Sequence, residues 1–188
     1  KLSIEQERKS LRELAEQRVD GMILLISFNL LPKQILQQVR KSLRPVVEIT
    51  SGDSEFDTVH QGYGDGTRAL MKYLFGLGHQ RIGFIYGTTD LIQGYDRLLP
   101  YREMLAQNGT AIDESLIVQC HPGLEGGYHA AREILSRKDR PTAVLTINDL
   151  QATAFIRAAF ELGLRIPDDI SLASFDNIPS AQYTVPSL

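Results

Sequence analysis

Apolar and polar positions along this chain switch repeatedly between helical spacing and short continuous apolar runs. From Ser3 to Gln17, Ile4, Leu11, Leu14 and Ala15 share one helical face, and Ser3 and Gln6 stand in capping-box spacing. Strands are predicted at MILLI (22–26), VVEI (46–49), Arg81 to Tyr86, LIVQ (116–119), Thr142 to Ile147 and Ile170 to Phe175. Amphipathic segments alternate with them: around Ile35, Leu36, Val39 and Leu43, through Ala69, Leu70, Tyr73 and Leu74, through Tyr101, Met104 and Leu105, through Tyr128, Ala131, Ile134 and Leu135, and from Leu150 to Leu162. Gly78, Gly109 and Gly163 close three of these helices, since glycine takes the left-handed backbone of a helix C-terminus. The pattern predicts about six helices and six strands in strict alternation, hence an α/β, two-lobed fold of parallel doubly wound sheets. The polar, glycine-bearing stretch 87–96 is the longest break after a complete strand. It divides an expected N-terminal lobe, 1–87, from a C-terminal lobe, 88–188. Because the chain opens on a helix and stops just after VPSL, at least one lobe, the N-terminal one, is expected to be incomplete, as if the fold were truncated at both ends.

The cleft between such lobes would be walled by the loops that follow the strands: 27–29, 50–53, 87–90, 120–123, 148–149 and 176–177. Two of them stand out. Thr142 to Ile147 runs into Asn148 and Asp149, Ile170 to Phe175 runs into Asp176 and Asn177, and one helix lies between. Parallel strands joined by a helix put their carboxyl ends on one edge of the sheet, where open α/β folds bind ligands. Carboxylates accept and amides both donate and accept, so the four side chains suit a ligand rich in hydroxyl or amino groups. Asp149 is also explained as the cap of a helix starting at Leu150; Asp176 is not. Arg97, expected between the 87–96 loop and the next helix, carries a planar fork that suits ligand oxygens, although a solvated surface arginine accounts for it equally well. The glycines of QGYGDGTR (61–68) match neither a dinucleotide fingerprint nor a phosphate loop. They read as a loop feeding a helix, with Asp65 in its first turn.

Composition narrows the function classes. With 188 residues and 43% hydrophobic content the chain can bury a real core. Its formal charge of -3 and its scattered lysines and arginines give no basic footprint for nucleic acid. Neither a membrane span nor a signal peptide is present in the sequence, the longest apolar run being Met22 to Ile26. One cysteine excludes an internal disulfide and a cysteine zinc site, and fits a reducing cytoplasm. Cys120 ends a strand, where a buried, inert thiol is the expectation. His60, His79, His121 and His129 lack metal-site pairing, and no serine-hydrolase elbow occurs. No catalytic residue, metal or cofactor is therefore assigned.

Five stretches, RVDGMILL (18–25), GLGHQRIGFIYG (76–87), RLLPY (97–101), TAVLTINDLQA (142–152) and GLRIPDDISLASFDN (163–177), resemble the effector-binding region of the lac repressor and gal repressor family of bacterial transcription regulators. The resemblance covers nearly the whole chain, and IPDDIS before the FD pair is its most specific part. It implies a fold like the type I periplasmic binding proteins, with a helix-turn-helix headpiece that this chain lacks. It implies a cytoplasmic homodimer that meets operator DNA only through that headpiece. A small sugar or nucleoside in the cleft would change lobe orientation and so operator affinity. The residues matching family effector contacts are Asp65, Arg97, Asn148 and Asp176. Pro100 departs from the usual glycine, and His121 and Pro122 stand where some members stack an aromatic on the ligand. Dimer contact is expected from Ala154, Phe155, Ala158, Ala159 and Leu162 together with Tyr183; ordinary core packing is the other account of that helix face. A periplasmic sugar receptor is the alternative, and an α/β sugar or nucleoside enzyme a more remote one.

Overall fold

The computed structural model describes residues 4–17, 19–25, 37, 45–50, 54, 56–87 and 92–188. The helix expected around Ile35 to Leu43, the Ser3 cap and the loops 27–29, 51–53 and 88–90 lie outside the described residues. Two compact units are formed: Lys1–Tyr63 with Thr89–Asp96, and Gly64–Thr88 with Arg97–Leu188. The strand 82–86, expected in the N-terminal lobe, groups with the second unit because both of its edges pair with later strands.

In the first unit α1 (Ile4–Glu16) precedes a parallel sheet in the order β1-β2-β3, with β1 at Met22–Leu25, β2 at Val46–Thr50 and β3 at Asp57–His60. Burial alternates along β1: Met22 and Leu24 face a small core with Leu11 and Val46, and Ile23 and Leu25 face out. That is the period of two expected of a half-buried strand. β3 falls where the pattern predicts loop. It follows β2 in parallel register, Thr50 opposite His60.

The second unit carries the candidate chemistry. Its elements run α2 (Tyr63–Gly76), β4 (Ile82–Tyr86), α3 (Ile92–Gln107, its first residues grouped with the first unit), β5 (Ile117–Gln119), α4 (Leu124–Leu135), β6 (Ala143–Thr146), α5 (Asp149–Glu161) and β7 (Ser171–Ala173). All strands are parallel, in the order β5-β4-β6-β7. Both faces of the central strands are covered. On one side Ile85, Val118 and Val144 pack with Ile134 of α4 and Phe155, Ala158 and Ala159 of α5. On the other, Phe84, Ala143 and Leu145 pack with Met71 and Leu74 of α2 and Tyr101, Met104 and Leu105 of α3. Such two-sided burial is why β6 reads as an unbroken apolar run.

Two expectations are corrected. The apolar face of α5 is core: Ala154, Phe155, Ala158 and Ala159 are all buried, so it is not available as the dimer patch expected of it. α4 closes on that helix so tightly that a Cβ on Gly127 would come 2.7 Å from the Gln151 backbone. Arg97 lies inside α3 rather than before it, since the helix begins at Ile92 and runs on through Pro100. Among the described residues no helix is long and apolar enough to cross a membrane.

Candidate functional site

β6 and β7 are neighbours in register, Ala143 opposite Ser171, so their carboxyl ends open on the same edge of the sheet. Each chain leaves that edge differently. After Ile147 the backbone turns into α5, and Asn148 is the N-cap: its Oδ1 accepts from Gln151 N at 2.9 Å, while its Nδ2 donates to Pro122 O at 3.1 Å. The cap is therefore Asn148 rather than Asp149, and α5 begins one residue earlier than its sequence pattern predicts. Asp149 is buried in the first turn, where its Oδ2 accepts from Ile178 N at 2.8 Å. Gln151, wholly buried, accepts from Ile147 N at 3.2 Å and donates to the Cys120 sulfur at 3.1 Å. Asn148 and Asp149, expected to face a ligand, thus commit hydrogen bonds to the fold.

Beyond β7 the backbone is strained. Asp176 has φ 104° and Asn177 φ 53°, the left-handed side that side chains other than glycine avoid. One or both would relax unless held, and the bond from Ile178 N to buried Asp149 holds them. Asp176 is exposed at the sheet edge. Burial of part of the group pushes the Asp176 carboxyl above the usual range; Arg97 opposes that shift and Asp149 adds to it. Desolvation is the strongest of the three influences, because leaving water disfavours the charged form.

Arg97 is 3% exposed, with its guanidinium carbon 5.0 Å from the centre of the Phe175 ring. Nothing in the sequence pattern singles out Phe175 as a site residue except its place. It is an apolar residue immediately before the polar pair, two positions past the last residue of β7. Asp65 does occupy the first turn of α2, as expected, with a side chain 93% exposed and 3.4 Å from Arg68. Arg68 in turn pairs with Glu103 of α3 at 2.8 Å. The next residue after Asp65, Gly66, lies against Phe175, so α2, α3 and the end of β7 meet around that ring. Of the four candidates, the structure stacks Arg97 on Phe175, the residue before Asp176, brings Asp65 near that ring through its neighbour Gly66, and gives Asn148 a capping role.

Chemically the edge combines a donor fork with an acceptor. A guanidinium presents five N–H groups in one plane and a carboxylate accepts only, a pair that suits adjacent ligand hydroxyls. A cavity of about 460 Å³ beside β7 reaches Asp149 and Asn177 but is lined mainly by apolar residues, among them Leu70, Leu74, Leu77, Leu172 and Leu188. It offers such a ligand few partners, so the polar edge is the candidate. Cys120 is a poor nucleophile: burial pushes its thiol up to about 11, the bond from Gln151 acting the other way. Among the described residues no group of histidine, cysteine or acidic side chains is placed to hold a metal ion.

Comparisons with known proteins agree with this architecture. Residues 71–188 match the model of the Periplasmic binding protein-like domain. The HTH-type transcriptional repressor PurR of Shigella sonnei is 34% identical over 190 residues, covering 99% of this chain and 55% of that protein. The chain thus spans about half the length of the curated relatives it matches. Among solved structures, a sugar-binding transcriptional regulator of the LacI family from Escherichia coli, complexed with phosphate, has a TM-score of 0.87 at 28% identity, covering 100% of this chain and 68% of that one. A complex of the transcriptional regulator CelR with cellobiose has a TM-score of 0.86 at 28% identity, covering 99% and 57%.

Proposed function

The chain belongs to the Periplasmic binding protein-like domain family, and from that premise we propose that it is the effector-binding core of a bacterial LacI-type transcription regulator rather than an enzyme. The observation that carries the proposal is the buried Arg97 guanidinium seated on Phe175, the residue before Asp176, at the carboxyl end of a parallel sheet. Its ligand is a small sugar or nucleoside-like molecule, because vicinal hydroxyls match a planar donor fork and an acceptor-only carboxylate. Asp65 and Asn148 are the remaining proposed contacts, Asn148 through whatever capacity its capping bonds leave. The relatives' names support the regulator class: the matched proteins are a repressor and LacI-type regulators, and the regulator CelR is in complex with cellobiose.

Regulation would be a population shift, in which the effector binds one arrangement of the protein better than another and so changes affinity for operator DNA. DNA contact would fall to a helix-turn-helix headpiece outside residues 1–188, in a cytoplasmic homodimer. For the dimer contact, Tyr183 and Val185, 80% and 88% exposed, are better placed than the buried face of α5.

Titration calorimetry of the 188-residue chain with D-ribose, cellobiose and adenosine tests the site. Binding of one of them that is weakened at least about tenfold in Asp176→Asn and in Arg97→Lys is the expected result. Binding that stays undiminished in both removes these residues from the site, and turnover of a bound ligand replaces the regulator with the enzyme.

A further inference from the structure

We propose that Phe175 is a positioning residue of the effector site: its ring holds the Arg97 guanidinium beside Asp176, and Gly66 is the notch that seats the ring. The purpose assigned to it rests on the reading of Arg97 and Asp176 as ligand groups.

Phe175 lies past the end of β7, half buried against the core that contains Met71, Leu74 and Phe84. Arg97 sits 5.0 Å above the ring and is almost fully buried, so it has little room to reorient. Stacking on an aromatic face uses the flat side of a guanidinium and leaves its in-plane N–H groups for oxygens. A leucine would fill the volume without offering that face; a tyrosine would keep it. α2 closes on the same ring: a Cβ on Gly66 would stand 3.1 Å from Phe175 Cε1 and 3.9 Å from Cδ1. Glycine inside a helix costs about 1 kcal/mol relative to alanine. Helix formation therefore does not account for Gly66, whereas the approach of Phe175 does. One aromatic residue thus sets the spacing between the first turn of α2, where Asp65 stands, the α3 arginine and the strained turn carrying Asp176.

The test is the carboxyl titration of Asp176, followed by carbon-13 NMR in the 188-residue chain, in wild type, Phe175→Leu, Phe175→Tyr and Gly66→Ala. Arg97 lowers the Asp176 midpoint and Asp149 raises it, so losing the hold on Arg97 moves the midpoint upward. Phe175→Leu should show that rise, and Phe175→Tyr should restore the wild-type value. Gly66→Ala should show it too, because its added Cβ, 3.1 Å from Phe175 Cε1, displaces the ring that holds Arg97. An unmoved midpoint in both Phe175→Leu and Gly66→Ala overturns the proposal, and so does an equal rise in the leucine and tyrosine variants. If Phe175→Leu does not fold, Gly66→Ala alone decides, since it moves the ring while keeping the phenylalanine and both charged side chains in the chain. No ligand enters this measurement, so failure of the sugar and nucleoside titrations would sink the function and leave the positioning role standing, and the reverse.

Discussion

Replacing Asp176 by asparagine should weaken effector binding and strengthen the fold at neutral pH, two opposite signs from one change. The choice of asparagine follows from the backbone. At φ 104° an alanine would add roughly 1–3 kcal/mol of strain, whereas Asp and Asn are the side chains that best tolerate positive φ. Asp176→Ala therefore confuses loss of a ligand contact with loss of a turn, and Asp176→Asn does not. For binding, a hydrogen bond to a charged group contributes about 1.5–3 kcal/mol, so affinity should fall about ten- to a hundredfold. For stability, the folded-state carboxyl is raised above its ordinary value of 3.8 by burial and by Asp149, with Arg97 opposing. A carboxyl whose folded pKa is raised favours the native state below its unfolded pKa, and that advantage is lost as pH rises through the folded pKa. The asparagine variant should thus gain on wild type as pH climbs past the raised value, with no gain below 3.8. For a chain of this length about 1 kcal/mol corresponds to about 2–4 °C in Tm. Circular dichroism melts at about pH 7 and about pH 3.5 measure the second sign, and calorimetry with the sugar or nucleoside that binds wild type measures the first. A variant that binds as well as wild type, or one whose Tm relative to wild type is lower at neutral than at acid pH, would refute the reasoning.

Arg97→Lys should lower affinity at least about tenfold, because lysine keeps the charge and loses both the fork and the stacking plane; the same calorimetry reads it. Asn148→Ala removes the α5 cap and should cost about 1 kcal/mol, read as a fall in Tm, while Asn148→Asp keeps the bond from Gln151 N and loses less. Phe155→Ala should destabilise by about 3–5 kcal/mol as a buried aromatic, read by denaturant unfolding. Tyr183→Asp should leave helical content intact and shift sedimentation toward monomer; a chain already monomeric at every concentration would remove the dimer contact. Cys120 should alkylate slowly in the folded chain at about pH 8, where about a thousandth of it is thiolate, and faster by about tenfold per pH unit up to about 11.

Local pattern was enough for the elements that bury two faces or one clean stripe. β4, β6 and the helices between them follow from apolar periodicity alone, because each carries its own burial signal within a few residues. The unit around β6, α5 and β7, and with it the edge that bears Asp176, was legible for the same reason. Tertiary structure decided what depends on partners distant in sequence. β3, with Val59 its sole large apolar residue, is a strand only because β2 supplies its hydrogen bonds. Whether Asn148 or Asp149 caps α5 turns on where β6 delivers the chain, since either side chain can accept from the helix. The small-residue face of α5 could have met a second molecule or α4, and sequence does not say which surface arrives first; α4 covers it. Arg97 and Phe175 stand 78 positions apart in the chain. Their stacking exists because α3 and β7 are packed on one sheet, and no periodicity along a single segment encodes a contact between two.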